Sequence, residues 1–246
     1  MGKVGKPEKI IANGKRLDGR ELEQFREISL EVGTLKRAQG SAIFRFGNTY
    51  ALSAVYGPKP FHPKGLQDPQ RSILRCRYSM APFATFERGR PGVSRRSVEI
   101  SKVLKEALSN VIFTEDYPRT GIDVFVEILQ ADASTRCAGL NAASLALADA
   151  GVPMKDMISS CSVGRADGKI VLDLSGLEDN YGEVDMAVAT VGGEDKIVLL
   201  QMDGIITKQE FMKMLELAKN GCHEINEMQR KILREKYATG ETDVEE

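Results

Sequence analysis

The chain of 246 residues has only two histidines, His62 and His223. A serine–histidine–aspartate triad or a histidine-rich metal centre is therefore not expected, and acid–base chemistry falls to carboxylates. Its four cysteines, Cys76, Cys137, Cys161 and Cys222, form no C-x-x-C pair. That scatter argues against a zinc site, and unpaired thiols fit a reducing cytosol. No apolar run approaches the ~20 residues a membrane helix needs. The opening "MGKVGKPEKIIANG" shows no secretory hydrophobic region. A cytoplasmic protein with no membrane partner is expected.

The content that is present suits a globular chain, with 42% apolar and 28% charged residues. The length allows one large domain or two small ones. The net charge of −1 hides an asymmetry. Lys59 to Arg96 holds nine cations against Asp68 and Glu87, whereas Asp123 to Asp195 holds thirteen acids against four cations. An arginine-rich segment can hold a polyanion such as RNA, or it can be a solvated surface that balances acids elsewhere.

Periodicity places the elements. "FREISLEVG" reads as a strand, and "SAIFRFGNTYALSAVYG" as a hairpin about Gly47-Asn48. "RSILRCRYSMA" alternates, with Leu74, Cys76 and Tyr78 on one face. Ser94 is positioned to cap a helix through "RRSVEISKVLKEALSNVI". "GIDVFVEILQA" is a strand, followed by a helix that ends at Ala150. Gly151-Val152-Pro153 marks a boundary. Beyond it come a hairpin about Asp167-Gly168, two more strands, and a long helix. That helix opens with the T-x-x-E capping box of Thr207 and Glu210 and keeps its period to about Arg234. Strand runs with a helix late in each half indicate an α+β architecture of two related lobes.

Three stretches could carry chemistry. In "ADASTR", Ser134, Thr135 and Arg136 stand where a strand passes into an alanine-rich helix. Free amides, two hydroxyls and a guanidinium there can seat a phosphate, or Ser134 or Thr135 can simply cap the helix. The stretch lacks the G-K-[ST] ending of a Walker A loop. In "LEDNYGEVDMAV", Asp179 and Asp185 flank Asn180-Tyr181-Gly182, a predicted turn. Brought together, the two acids would raise each other's pKa and could hold Mg²⁺ or Mn²⁺; otherwise the stretch is a solvated acidic turn. Arg95 and Arg96 open a helix, with Arg88 and Arg90 just upstream. Cations there oppose the helix dipole, which makes sense if a polyanion binds, or if Glu99 compensates through an i, i+3 or i, i+4 pair.

"RLDGRELEQFREI", "GNTYALSAVYGP", "RRSVEISKVLKEAL", "DVFVEILQADASTRCAGLNAASLALADAGVPM" and "LDLSGLEDNYGEVDMAVA" resemble the RNase PH family in order and spacing. Within that family, "KRLDGRELEQFREISLEVG" and "FHPKGLQDP" look most like catalytic subunits of archaeal exosomes. The resemblance implies the RNase PH fold. Its first lobe, of the ribosomal-protein-S5 type, covers residues 16–150 and binds RNA and phosphate. The second, at 151–236, carries the acidic turn and the long helix, and 237–246 is an acidic tail expected to be disordered.

The resemblance also implies a phosphorolytic 3′-to-5′ exoribonuclease. Inorganic phosphate is the co-substrate, nucleoside 5′-diphosphates are the products, and RNA tailing is the reverse reaction. Ser134, Thr135 and Arg136 match the family's phosphate-binding turn, although bacterial relatives usually show two glycines at Ala133-Ser134. Asp179 matches the general acid, and Asp185 its partner and candidate metal ligand. Arg90, Arg95, Arg96, His62 and Lys64 match RNA contacts, the last two in a loop that narrows the RNA channel. Lys64 replaces a common arginine, so charge is kept but not the guanidinium fork. The implied partners are RNA, a paralogous non-catalytic subunit in a hexameric ring of three heterodimers, and RNA-binding cap proteins. A homohexameric tRNA-trimming enzyme of the bacterial type and a non-catalytic ring subunit are the alternatives.

Overall fold

The computed structural model describes residues 9–12, 14–192 and 196–238. Most of the expected acidic tail, residues 239–246, lies outside them, as do the first eight residues and most of the link after Gly192. Two short strands, β1 (Ile11–Ala12) and β2 (Lys15–Arg16), pair with each other at the start.

A five-stranded sheet follows, built from β3 (Ile28–Val32), β4 (Gly40–Phe46), β5 (Thr49–Pro60), β6 (Ile73–Met80) and β7 (Thr120–Gln130). Its order is β3-β4-β5-β7-β6, with β6 parallel to β7 and the other pairs antiparallel. Helices α1 (Arg95–Ser109) and α2 (Thr135–Asp149) belong to this half. The second sheet is antiparallel and ordered β11-β10-β8-β9, from β8 (Ile158–Ala166), β9 (Lys169–Leu172), β10 (Val184–Val191) and β11 (Ile197–Gly204). A short α3 (Gly176–Tyr181) enters β10, and α4 (Lys208–Ala238) closes the chain. The long helix thus runs past the expected Arg234 and takes in Tyr237 and Ala238. Tyr237 and Lys236 bond to Asp149 there, which holds the last turn down.

Local chemistry explains the turns and ends. Asp167 and Gly168 both take positive φ, 47° and 71°, as a two-residue hairpin requires. Ser94 caps α1 and forms a reciprocal capping box with Ser97. Thr207 and Glu210 bond reciprocally at the start of α4.

Helix α2 is the hinge of the architecture. It packs on β4 and β5 of one sheet and on β8 of the other, so it is buried on nearly every side. Small residues make that possible. A Cβ on Gly40 would stand 2.2 Å from the Ala146 carbonyl, so helix and strand backbones meet almost directly. Strand β8 pairs with β9 only from Val163 onward, which leaves its first half without a neighbour on that side. Side chains of α2 fill the gap. Asn141 donates to the Ser160 carbonyl (2.8 Å) and accepts from its amide (2.7 Å), and Ser144 accepts from the Ile158 amide (2.7 Å).

Candidate active site

The phosphate-like turn lies at the N-terminus of α2, where both sheets meet. Ala133 and Ser134 hold consecutive left-handed conformations, with φ of 59° and 53°. That is where glycine would be least strained. Ser134 makes no side-chain cap to the helix. Its hydroxyl instead meets Ser162 Oγ (2.7 Å) and donates toward the Leu174 carbonyl (3.2 Å), both in the second half of the chain. In the structure the Ser134 side chain is thus a pin between the two halves. Thr49 fixes the turn from below, donating to the Ala133 carbonyl (2.7 Å) and accepting from the Asp132 amide (3.0 Å). The first turn of α2 thus has no side-chain cap, with buried Thr135 and half-buried Arg136 beside it.

Arginines flank this turn. Glu99 does not offset Arg95 or Arg96; it reaches Arg136 instead, at 3.8 Å. Among the described residues, Arg77, Arg88, Arg90, Arg95 and Arg96 have no ion-pair partner within 4 Å, whereas Lys59 and Arg75 share Asp123 and Arg71 pairs with Asp68. The basic segment therefore divides into a neutralised part and an available part. The loop with Arg88 and Arg90 is anchored beside the phosphate-like turn, because the Ala131 amide donates to the Ala84 carbonyl (2.9 Å).

The acids come from the other half. The predicted turn around Asp179 is in fact the short helix α3, started by Ser175 and Glu178 in a capping box. Asp179 sits on that helix and Asp185 on β10, with Asp203 opposite Asp185 across the strand pair. Asp179 is reached by solvent, yet neighbouring protein atoms partly shield its carboxylate. Desolvation there raises its pKa against the pull of Arg96, Arg136 and Arg26. Asp185 is pushed up to about 6, first by burial and then by Asp179, while Arg136 and Arg96 oppose the rise. Acids from α3 and β10 and cations from α1 and α2 therefore share one electrostatic site.

Two matches decide the family. A model described as "3' exoribonuclease family, domain 1" fits residues 24–153, and its domain 2 partner fits residues 156–221. The chain belongs to the 3′ exoribonuclease family. Relatives named exosome complex component Rrp41 are similar nearly end to end. The one from Thermococcus kodakarensis is 55% identical over 95% of each chain. That from Methanopyrus kandleri is 53% identical over 94% of this chain and 98% of its own. Among solved structures, rice Rrp46 matches at a TM-score of 0.80 and 24% identity, covering 89% of this chain and all of that one. A chain of the Archaeoglobus fulgidus exosome, solved with RNA bound to the active site, matches at 0.75 and 22%, covering 88% and 93%. These two likenesses bear on the fold.

In this exoribonuclease-family chain, one group of residues escaped the sequence reading. Arg16, Arg20 and Arg26 of "RLDGRELEQFRE" are buried beneath the site. Arg26 grips Asp173 with a fork, at 2.9 and 2.7 Å, and also bonds the Asp132 carbonyl. Arg16 does the same to Glu178, the residue before Asp179, with Nε at 2.6 Å. Asp132 in turn accepts from the Gly176 amide at the start of α3 (2.9 Å). The phosphate-like turn and the acid-bearing helix are thus fixed to each other through the N-terminal segment. The only trace in sequence is the density of arginines in a stretch whose partners lie some 150 residues away.

His62 and Lys64 are not brought to this exoribonuclease-family site. They follow Phe61, whose amide bonds the carbonyl of Arg119 at the start of β7. The phosphate-like turn follows the other end of that strand. At about 3.3 Å per residue, the 11 residues of β7 separate the two places by roughly 30 Å. As for a metal, no cluster of three side chains that could hold a metal ion exists among the described residues, and Asp179 and Asp185 are the pair that would hold one. Two carboxylates fit Mg²⁺ or Mn²⁺ when substrate oxygens and water complete the shell.

Proposed function

We propose that the chain is the catalytic subunit of an archaeal-type exosome core, and that it shortens RNA from the 3′ end by phosphorolysis. The observation that carries this reading is the meeting of an uncapped helix N-terminus and a protonatable acid pair between Arg96 and Arg136. The seat at Thr135 and Arg136, with the Ser134 backbone, holds inorganic phosphate for attack. A phosphate oxygen bonds to the last phosphorus of the RNA as the bond to the neighbouring 3′ oxygen breaks. Asp179 gives that oxygen its proton, and Asp185 keeps the pair protonated. Arg95, Arg96 and Arg90 hold the RNA backbone, and the product is a nucleoside 5′-diphosphate. The reverse step adds a tail. Mg²⁺ or Mn²⁺, held by Asp179 and Asp185, would offset charge between the two anions.

In this reading residues 16–150 bind RNA and phosphate, and 151–236 supply the acids. His62 and Lys64 line the RNA path further upstream. A paralogous non-catalytic subunit completes a hexameric ring of three heterodimers, topped by RNA-binding cap proteins. The curated relatives' names support the exosome assignment. Exposed Phe83, Phe86 and Ile205, and the open sheet edges at β6 and β11, suit burial between subunits.

The test incubates labelled RNA with the chain, alone and with its partner, with and without phosphate. Phosphate-dependent release of diphosphates that Asp179→Ala reduces by at least about 100-fold is expected. Release of monophosphates without phosphate would overturn the reading. Full activity of the chain alone would instead indicate a homohexamer of the bacterial type.

A further inference from the structure

One buried polar group at the site has no role in the chemistry above. Tyr78 lies on β6 opposite Val126 of β7 and is only 2% exposed. Its ring lies against α2. A Cβ on Gly139 would stand 3.6 Å from Tyr78 Cε2, an ordinary packing distance, and 2.9 Å from Val126 Cγ1, so the ring packs directly on α2 one turn below Thr135. The backbone is held from the other side, where the Tyr78 amide donates to Ser101 of α1 (2.8 Å).

The hydroxyl of Tyr78 is buried and makes no hydrogen bond of ordinary geometry among the described residues, and the polar group that reaches it most directly is the Thr135 side chain of the phosphate-like turn. Burial raises its pKa, and the groups that act against burial are the Thr135 side chain, Arg96 and Arg136. Those three belong to the phosphate-like turn and its flanking cations, so the hydroxyl faces the same seat. Arg136 Nε is a second buried donor there without a partner. Phenylalanine would fill the space with no polar atom left unsatisfied. A buried hydroxyl beside Thr135 and a buried guanidinium nitrogen without a partner at the same uncapped helix turn leave donor capacity there for an acceptor.

We infer that the Tyr78 hydroxyl is a further donor of the anion seat and binds a tetrahedral oxyanion there. The inference rests on the phosphorolytic reading. The anion is inorganic phosphate during degradation and the terminal phosphate of a nucleoside diphosphate during tailing. Tyr78 touches this anion and not the leaving oxygen, so it governs affinity for phosphate more than turnover.

The test compares the full chain with Tyr78→Phe, each assembled with its partner. Phosphate is titrated into the RNA-free protein by calorimetry, and KM for phosphate is measured on labelled RNA. Tyr78→Phe should weaken phosphate binding and raise its KM by about tenfold, the effect of one hydrogen bond to a charged group. The kcat, and RNA binding measured without phosphate, should stay within about twofold, since loss of one donor to phosphate leaves the RNA contacts intact. An unchanged phosphate affinity, or equal losses for phosphate and RNA, would overturn the inference. If the wild-type chain binds phosphate but releases only monophosphates, the phosphorolytic reading fails while the calorimetric comparison still decides the role of Tyr78. If it binds no phosphate, both fall.

Discussion

Asp185 ties the proposed acid chemistry to stability. Its folded pKa of about 6 lies above the ordinary aspartate value of 3.8. Between those pH values the folded chain holds a proton that the unfolded chain has lost. Stability from this residue is therefore greatest at acid pH and falls as pH rises toward 6. Asp185→Asn should raise the melting stability at pH 7–8 by on the order of 1–2 kcal/mol, and barely at all near pH 4. Thermal melts across that range check this, and an equal gain at both ends would refute the assignment. Bound RNA and phosphate add negative charge, so the alkaline limb of kcat should lie above that of kcat/KM. A second single-residue effect sits at Ala133, whose φ of 59° strains an L-residue. Ala133→Gly should stabilise the chain by about 0.5–1 kcal/mol, net of the added freedom of the unfolded chain. Ser134→Gly should not, because it also removes the hydrogen bonds to Ser162 and Leu174.

At the scale of elements, α1 shows a helix arranged against its own dipole. Arg95 and Arg96 sit at its positive end, and Glu99 reaches Arg136 and Gln201 rather than either of them. Replacing both arginines by alanine should leave the helix intact and lower the salt dependence of single-stranded RNA binding. The slope of log affinity against log salt should fall by about 0.7 for each phosphate that the arginines no longer neutralise. An unchanged slope would place the RNA elsewhere. Most elements were legible because their signals are local. The alternation around Tyr78, the Gly47-Asn48 hairpin and the Thr207 capping box each lie within a few residues. Helix α3 was missed although Ser175 and Glu178 carry the capping pattern, because six residues are too few to show a helical period. The partners of the Ser134 hydroxyl could not be read from sequence. They are Ser162 and Leu174, which only tertiary folding brings near.

Across the whole molecule, the buried arginines join three distant segments. Removing one partner of such a pair strands the other charge in the interior. Arg26→Met should cost about 3–5 kcal/mol in denaturant unfolding and disturb the acids that Asp132 and Asp173 help position. A loss under about 1 kcal/mol would show that Arg20, 3.5 Å from Asp173, can take over. The family was readable from the order of its motifs, and the candidate acids and phosphate turn with it. The clamp beneath them was not, since sequence does not tell which carboxylate a given arginine will meet.

Strand β7 has a further consequence. It is a single stiff element with the His62–Lys64 loop at one end and the phosphate-like turn at the other. On the proposed reading, an RNA tail long enough to occupy both would be held at two points. A tail shorter than the strand would have to release one of them, so grip would weaken in a step rather than gradually.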